Sequence, residues 1–252
     1  MIYLYTEDSK SGFQFWKFIC DNLFLGVIEV RNLGNKSNST RLAEFVCNIE
    51  DRENTYLISY DLSFDNQLVM ENYREMKKYV KHNNFDNIFF LDFISFEYIL
   101  LSFSKFIDWC FSENDFFKVQ RKDLLECREI LLNLGDDITS YLEMDALRKF
   151  IFKHNISNIE QFCSKLIRDI VKNTGFSVSK GELGECWYVD CCSYSQKEED
   201  DECGLDILLP TGRYKAFEIF NHSCIKKHFE NFNLYISESC KRAVFQDDYI
   251  KN

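Results

Sequence analysis

Acidic residues stand where two short apolar runs stop. The run Ile2-Tyr3-Leu4-Tyr5-Thr6 ends at Glu7 and Asp8, and the run Thr55-Tyr56-Leu57-Ile58-Ser59-Tyr60 ends at Asp61, with Asp65 shortly beyond. Carboxylates gathered at the ends of buried strands suit a hard divalent cation, which takes oxygen donors. Mg²⁺ keeps several waters and uses one or two protein carboxylates together with phosphate oxygens. An ion held in that way can activate water and neutralise charge on a scissile phosphodiester. The same residues have a structural alternative. Glu7 and Asp8 can open a helix, where carboxylates favour the positive end of the dipole, and Asp61 can form an Asx-turn.

The elements that must position these acids follow from the pattern of apolar residues. Residues 2–6, 27–31, 55–61 and 87–93 read as strands, and residues 9–24, 66–82 and 95–111 read as helices. Ser39 or Thr40 caps a further helix that runs through Leu42, Phe45 and Val46. Strand and helix alternate, so the fold class is α/β, with a small parallel four-stranded sheet flanked by helices. Ligands of such sheets sit beyond the carboxyl ends of the strands. That rule places Glu7, Gly34, Asp61 and Asp92 near one edge, with Asp92 serving to end its strand.

From about Lys118 the pattern is helical only, over residues 121–134, 138–152 and 157–173. The last of these opens with Ser157-x-x-Glu160, a capping box. After Gly175 the texture becomes rich in cysteine, glycine and acid, then mixed, which reads as an α+β segment. Three regions result: an α/β domain over 1–117, a helical region over 118–174 and a cysteine-rich region over 175–252.

Composition narrows the possibilities. The chain has 252 residues, enough for a substantial core, and 46% of them are hydrophobic, which argues for folded protein. No uncharged apolar run is long enough to span a bilayer, so no membrane partner is expected. No basic segment precedes an apolar core at the N-terminus, and the 11 cysteines are irregularly spaced and odd in number. They read as reduced thiols of a cytoplasmic protein. The net charge of −11 disfavours broad electrostatic binding to nucleic acid but leaves room for an acidic site offset by metal. There is no Gly-x-Ser-x-Gly elbow, no Walker A loop and no full dinucleotide fingerprint.

Taken in order, strand–Glu, strand–Gly loop and strand–Asp-x-x-x-Asp resemble the TOPRIM fold. That fold is shared by topoisomerases, primases and the nucleases of the overcoming-lysogenization-defect and related anti-phage systems. The resemblance covers about residues 1–110 and rests on "YLYTEDSKSG", "EVRNLGNKSN" and "LISYDLSFD", with "FISFEYILL" similar to the helix start that follows the sheet in some defence-associated members. It implies a nuclease dependent on Mg²⁺ or Mn²⁺ that cuts DNA or RNA, with Glu7 as metal ligand or general base and Asp61 as metal ligand. Glu97 is an additional acidic contributor on this view, and on the plain one a helix N-terminal acid. The family's aspartate strand reads Asp-x-Asp, whereas this chain has Asp61-Leu62-Ser63 with the next acid at Asp65. Asp65 therefore stands in as the second catalytic or metal-binding acid, or that acid is lost. Lys10, Gly34 and Lys36 lie where phosphate contacts belong; as alternatives, Gly34 supplies a left-handed turn and the lysines are surface residues. Defence relatives commonly work with an ATPase, and this chain has no ATP loop, so a separate ATPase partner is implied. The alternative is a degenerate module that binds a protein partner or senses a phage component.

The cysteine-rich tail offers a second chemistry. Cys186, Cys191, Cys192 and Cys203 lie in one short span, followed by His222, Cys224 and His228. Four such ligands, for example Cys186, Cys191, Cys203 and His222, could form a structural Zn²⁺ site. The spacing lacks paired Cys-x-x-Cys knuckles, and the alternative is that these are small buried residues or unpaired thiols.

Overall fold

The computed structural model describes residues 1–9, 11–24, 26–34, 38–111, 115–174 and 212–230. Four strands, β1 (Ile2–Thr6), β2 (Ile28–Asn32), β3 (Thr55–Asp61) and β4 (Ile88–Phe93), form one wholly parallel sheet in the order β2-β1-β3-β4. Thr6 stands opposite Asn32 on one side and Ser59 on the other. β1 and β3, the central strands, are read easily from the sequence because their short apolar runs are largely buried, whereas edge strand β2 carries Glu29 and an exposed Arg31.

Helices α1 (Ser11–Leu23), α2 (Ser39–Val46) and α3 (Gln67–His82) connect the strands. Alternate side chains of each strand go to opposite faces, and two apolar clusters result. Leu4, Ile28, Leu57, Leu91 and Phe93 join Phe15, Trp16 and Ile19 of α1. Tyr5, Tyr56, Ile58, Tyr60 and Ile88 join Leu42 and Val46 of α2 and Val69 and Met76 of α3. The helix after β1 and the helix after β3 thus cover opposite faces. Between β1 and β3 the winding reverses, and at such a switch point an open α/β sheet forms its ligand crevice.

Beyond the sheet come α4 (Phe96–Ser102), α5 (Phe106–Phe111), α6 (Asp115–Gln120), α7 (Lys122–Asn133), a 3₁₀ segment (Gly135–Glu143), α8 (Asp145–His154) and α9 (Ile159–Val171), then α10 (Gly212–Asn221) and α11 (Ile225–Glu230). The cluster on the α1 face takes in Leu131, Leu147, Phe162, Leu166, Ile219 and Phe229, so residues before and after 118 share one core. Phe229 stacks on Phe24 at 5.5 Å between ring centroids. Among the described residues no helix is long and apolar enough to cross a membrane.

Four local expectations change. The cap of α2 is Asn38, whose side chain accepts the Arg41 amide, not Ser39 or Thr40. The helix expected over 95–111 breaks at Phe103, which is extended. There the buried Arg128 donates to the carbonyls of Leu101 (2.8 Å) and Phe103 (3.0 Å), taking up helix-end carbonyls that lack intrahelical partners. The amphipathic stretch 138–152 is a 3₁₀ segment and α8, separated by the extended Met144. The box at the start of α9 also shifts by one residue. Asn158 is the cap and accepts the Gln161 amide at 2.8 Å, while Gln161 Oε1 accepts the Ser157 amide at 3.0 Å. Glu160 is thereby released from the capping role that its spacing suggested.

Candidate functional site

β1 and β3 are neighbours, and Glu7 and Asp61 meet at their carboxyl ends. The Asp61 amide donates to Glu7 Oε1 at 3.1 Å, which brings the two carboxyl groups side by side. Asp61 Oδ2 in turn accepts the Phe96 amide at the start of α4, at 3.4 Å. The first turn of α4 is set by Ser95, which accepts the Tyr98 amide and is fully buried. Sheet register and the α4 cap together decide where this pair sits.

Electrostatics at the pair run one way. Burial, followed by the charge of Asp8, pushes Glu7 up to about 8, against the opposing effect of the Asp61 amide. Asp61 is raised well above the usual carboxylate range, first by burial and then by Glu7, Asp8, Glu97 and Glu160. Adjacent carboxyls in such surroundings resist ionising together without a cation. Asp8 lies over Gly12: a Cβ at that glycine would come 2.1 Å from Asp8 Oδ2, so the absence of a side chain there is what lets the Asp8 carboxylate pack so closely.

The other expected residues separate into groups. Glu97, on the buried face of α4, bears on Asp61 and also on the buried Cys163. Asp65, expected as a further ligand, turns toward the helical region: its Oδ2 accepts the Tyr141 hydroxyl (2.7 Å) and the Ile159 amide (2.9 Å). Gly34 follows β2 with φ +83°, in the left-handed turn that glycine permits, and its amide donates to Asn32 Oδ1. Asp92 accepts the Tyr73 hydroxyl at 2.5 Å and lies 3.7 Å from Lys77; it sits within β4, which ends at Phe93, and does not end the strand as expected. Lys10, Lys36, Cys186, Cys191, Cys192 and Cys203 lie outside the described residues. His222 Nε2 lies 3.7 Å from Glu218 Oε2, and His228 packs at a tilt against Phe93. Among the described residues no three or more His, Cys, Asp or Glu side chains group closely enough to hold a metal ion among themselves.

Sequence reasoning missed Glu160. It enters from α9, and its charge bears on both Glu7 and Asp61. Its only sequence signal was an acid near a helix start, which the capping rule claimed for another purpose.

No protein-family model, curated protein or solved structure matches this chain.

Proposed function

We propose that this edge of the sheet is a divalent-cation site for phosphodiester hydrolysis, and that the chain is a nuclease of the TOPRIM class its sequence resembles. The observation that carries the reading is the meeting of Glu7 and Asp61, 54 residues apart in sequence, at the switch point between β1 and β3. Their donor chemistry fits Mg²⁺ or Mn²⁺, which needs only one or two protein carboxylates beside water and phosphate. Two adjacent acids that are both raised without a cation are a set whose charge an ion would balance.

Glu7 and Asp61 are the residues that would hold the ion. When bound, it would supply a polarised phosphate and a more acidic water. The rest is done by the chain itself. The Asp61 amide fixes Glu7 Oε1, and the Phe96 amide fixes Asp61 Oδ2. Raised to about 8 without a cation, the Glu7 carboxyl would give up its proton to hold the ion, so cation binding strengthens as pH rises toward that value.

The test is incubation of purified protein with DNA and RNA pools and Mg²⁺ or Mn²⁺, with and without a candidate ATPase partner. Wild-type protein cleaves one of the pools, and Glu7→Gln and Asp61→Asn do not. Equal cleavage by all three proteins overturns the assignment. A second reading, a non-cleaving module that binds a protein partner, is favoured by position 63. The family's second strand acid is replaced there by Ser63, which is 1% exposed, and Asp65 is occupied elsewhere. Cation binding without cleavage under every condition selects that reading.

A further inference from the structure

The acidic edge is built from two parts of the chain, and one residue joins them. Asp65 lies in the loop between β3 and α3, a few residues after Asp61. Its Oδ2 accepts the Tyr141 hydroxyl from the 3₁₀ segment and the amide of Ile159, the first residue of α9. The Tyr141 ring packs edge-on against Phe64 beside Asp65 (5.9 Å) and against Phe162 of α9 (6.0 Å). The amides of a helix's first turn lack intrahelical partners. Asn158 takes that of Gln161, and Asp65 takes that of Ile159 from across the fold. Glu160 is the next residue. The direction in which α9 enters the site is therefore set by the loop that carries Asp61.

We propose that Asp65 is the positioning residue of this site: by capping α9 from the β3–α3 loop it holds Glu160 beside Glu7 and Asp61, where Glu160 acts on a bound divalent cation through the ion's water shell. The inference rests on the cation reading of Glu7 and Asp61. An outer role is assigned to Glu160 because its charge bears on both Glu7 and Asp61 while Mg²⁺ keeps several waters. Groups that act on a metal through its waters or through its ligands tune affinity without touching it. The burial of α9 against the shared core, with Ile159, Phe162, Leu166 and Ile167 fully buried, makes the helix a rigid carrier for its first turn.

Two measurements on the full chain test this. Amide exchange without metal reads the tether, and Mn²⁺ titration reads the consequence. Asp65→Ala is expected to lower protection of the first-turn amides of α9 about fivefold; Asp65→Asn, which keeps an acceptor, retains most of it. Tyr141→Phe keeps the Asp65–Ile159 bond and is the milder control for folding. In titration, Asp65→Ala and Glu160→Gln each weaken Mn²⁺ binding roughly tenfold. The double variant is no weaker than either single one, because Asp65 acts only through Glu160. Full additivity, or unchanged first-turn protection in Asp65→Ala, overturns the positioning role. Wild-type protein that binds Mn²⁺ with Asp65→Ala binding equally well overturns it too. Wild-type protein that binds no Mn²⁺ overturns instead the cation reading on which the proposal rests.

Discussion

The two ends of the sheet handle acidic residues in opposite ways. At the amino end, Asp51 accepts the Glu53 amide (2.7 Å), the Asn54 side-chain amide (2.6 Å) and the Tyr56 hydroxyl (2.7 Å). Asn87 ties the same loops by donating to the carbonyls of Asp51 and Asn54, and the N-terminal ammonium donates to Asn54. The Asn54 and Glu53 donors, followed by Tyr56, hold Asp51 down at about 2. At the carboxyl end, Glu7 and Asp61 have few donors and many acidic neighbours, and both are raised. One end uses a carboxylate to close the fold; the other assembles carboxylates that only a proton or a cation can satisfy. Strongly raised carboxyls of that kind mark a candidate functional site.

The largest expected contrast is in activity. Glu7→Gln or Asp61→Asn lowers metal-dependent cleavage by more than about 100-fold, beyond what the loss of an outer partner costs. Asn87→Ala at the other end leaves it unchanged, as initial rates on the preferred nucleic acid would show. Comparable losses from both ends would erase the distinction.

Stability should move the other way. Asn87→Ala removes two hydrogen bonds from a side chain that is 8% exposed and costs about 1–3 kcal/mol, seen in denaturant unfolding. Glu7→Gln is expected to stabilise the metal-free protein at pH 8. The sign follows from linkage. A carboxyl raised from 4.5 to about 8 binds more protons folded than unfolded, so stability declines as pH rises through that window. Thermal unfolding of the wild type without metal should therefore give a lower Tm at pH 8.5 than at pH 5.5, and Glu7→Gln should flatten that slope. Mg²⁺ at a hundred times its Kd should add about 2.7 kcal/mol to wild-type stability. Asp51, depressed from 3.8 to about 2, contributes stability above pH 4 that is lost as pH falls through 2, so Asp51→Asn blunts only the acid limb.

The smallest effect comes from Asp8. Asp8→Asn removes a charge that raises Glu7, so the pH at which activity reaches half its plateau should move down by up to about 1 unit. A profile that stays in place would assign the alkaline requirement to another group.

The sheet was legible because its signal is local. β1, β3 and β4 are short, mostly apolar runs, and the acids at the ends of β1 and β3 are adjacent in space once the winding is known. The helical half was less legible because its decisive contacts come from far along the chain. Nothing near Phe103 announces that Arg128 will take its carbonyl, and nothing near Asp65 announces Tyr141 and Ile159. The capping rule failed at α9 for a related reason: Ser157, Asn158, Glu160 and Gln161 offer two boxes one residue apart. Packing of the α9 apolar stripe against the core selects the second. That shift turns an ordinary cap residue into a member of the acidic edge.

The central claim is that Glu7 and Asp61 form a divalent-cation site. A crystal of this protein soaked in Mn²⁺ tests it most directly. The account predicts an anomalous peak between the two carboxylates that is absent in the Glu7→Gln/Asp61→Asn double variant. A peak held only by other residues, or carboxylates standing too far apart to share an ion, would contradict it.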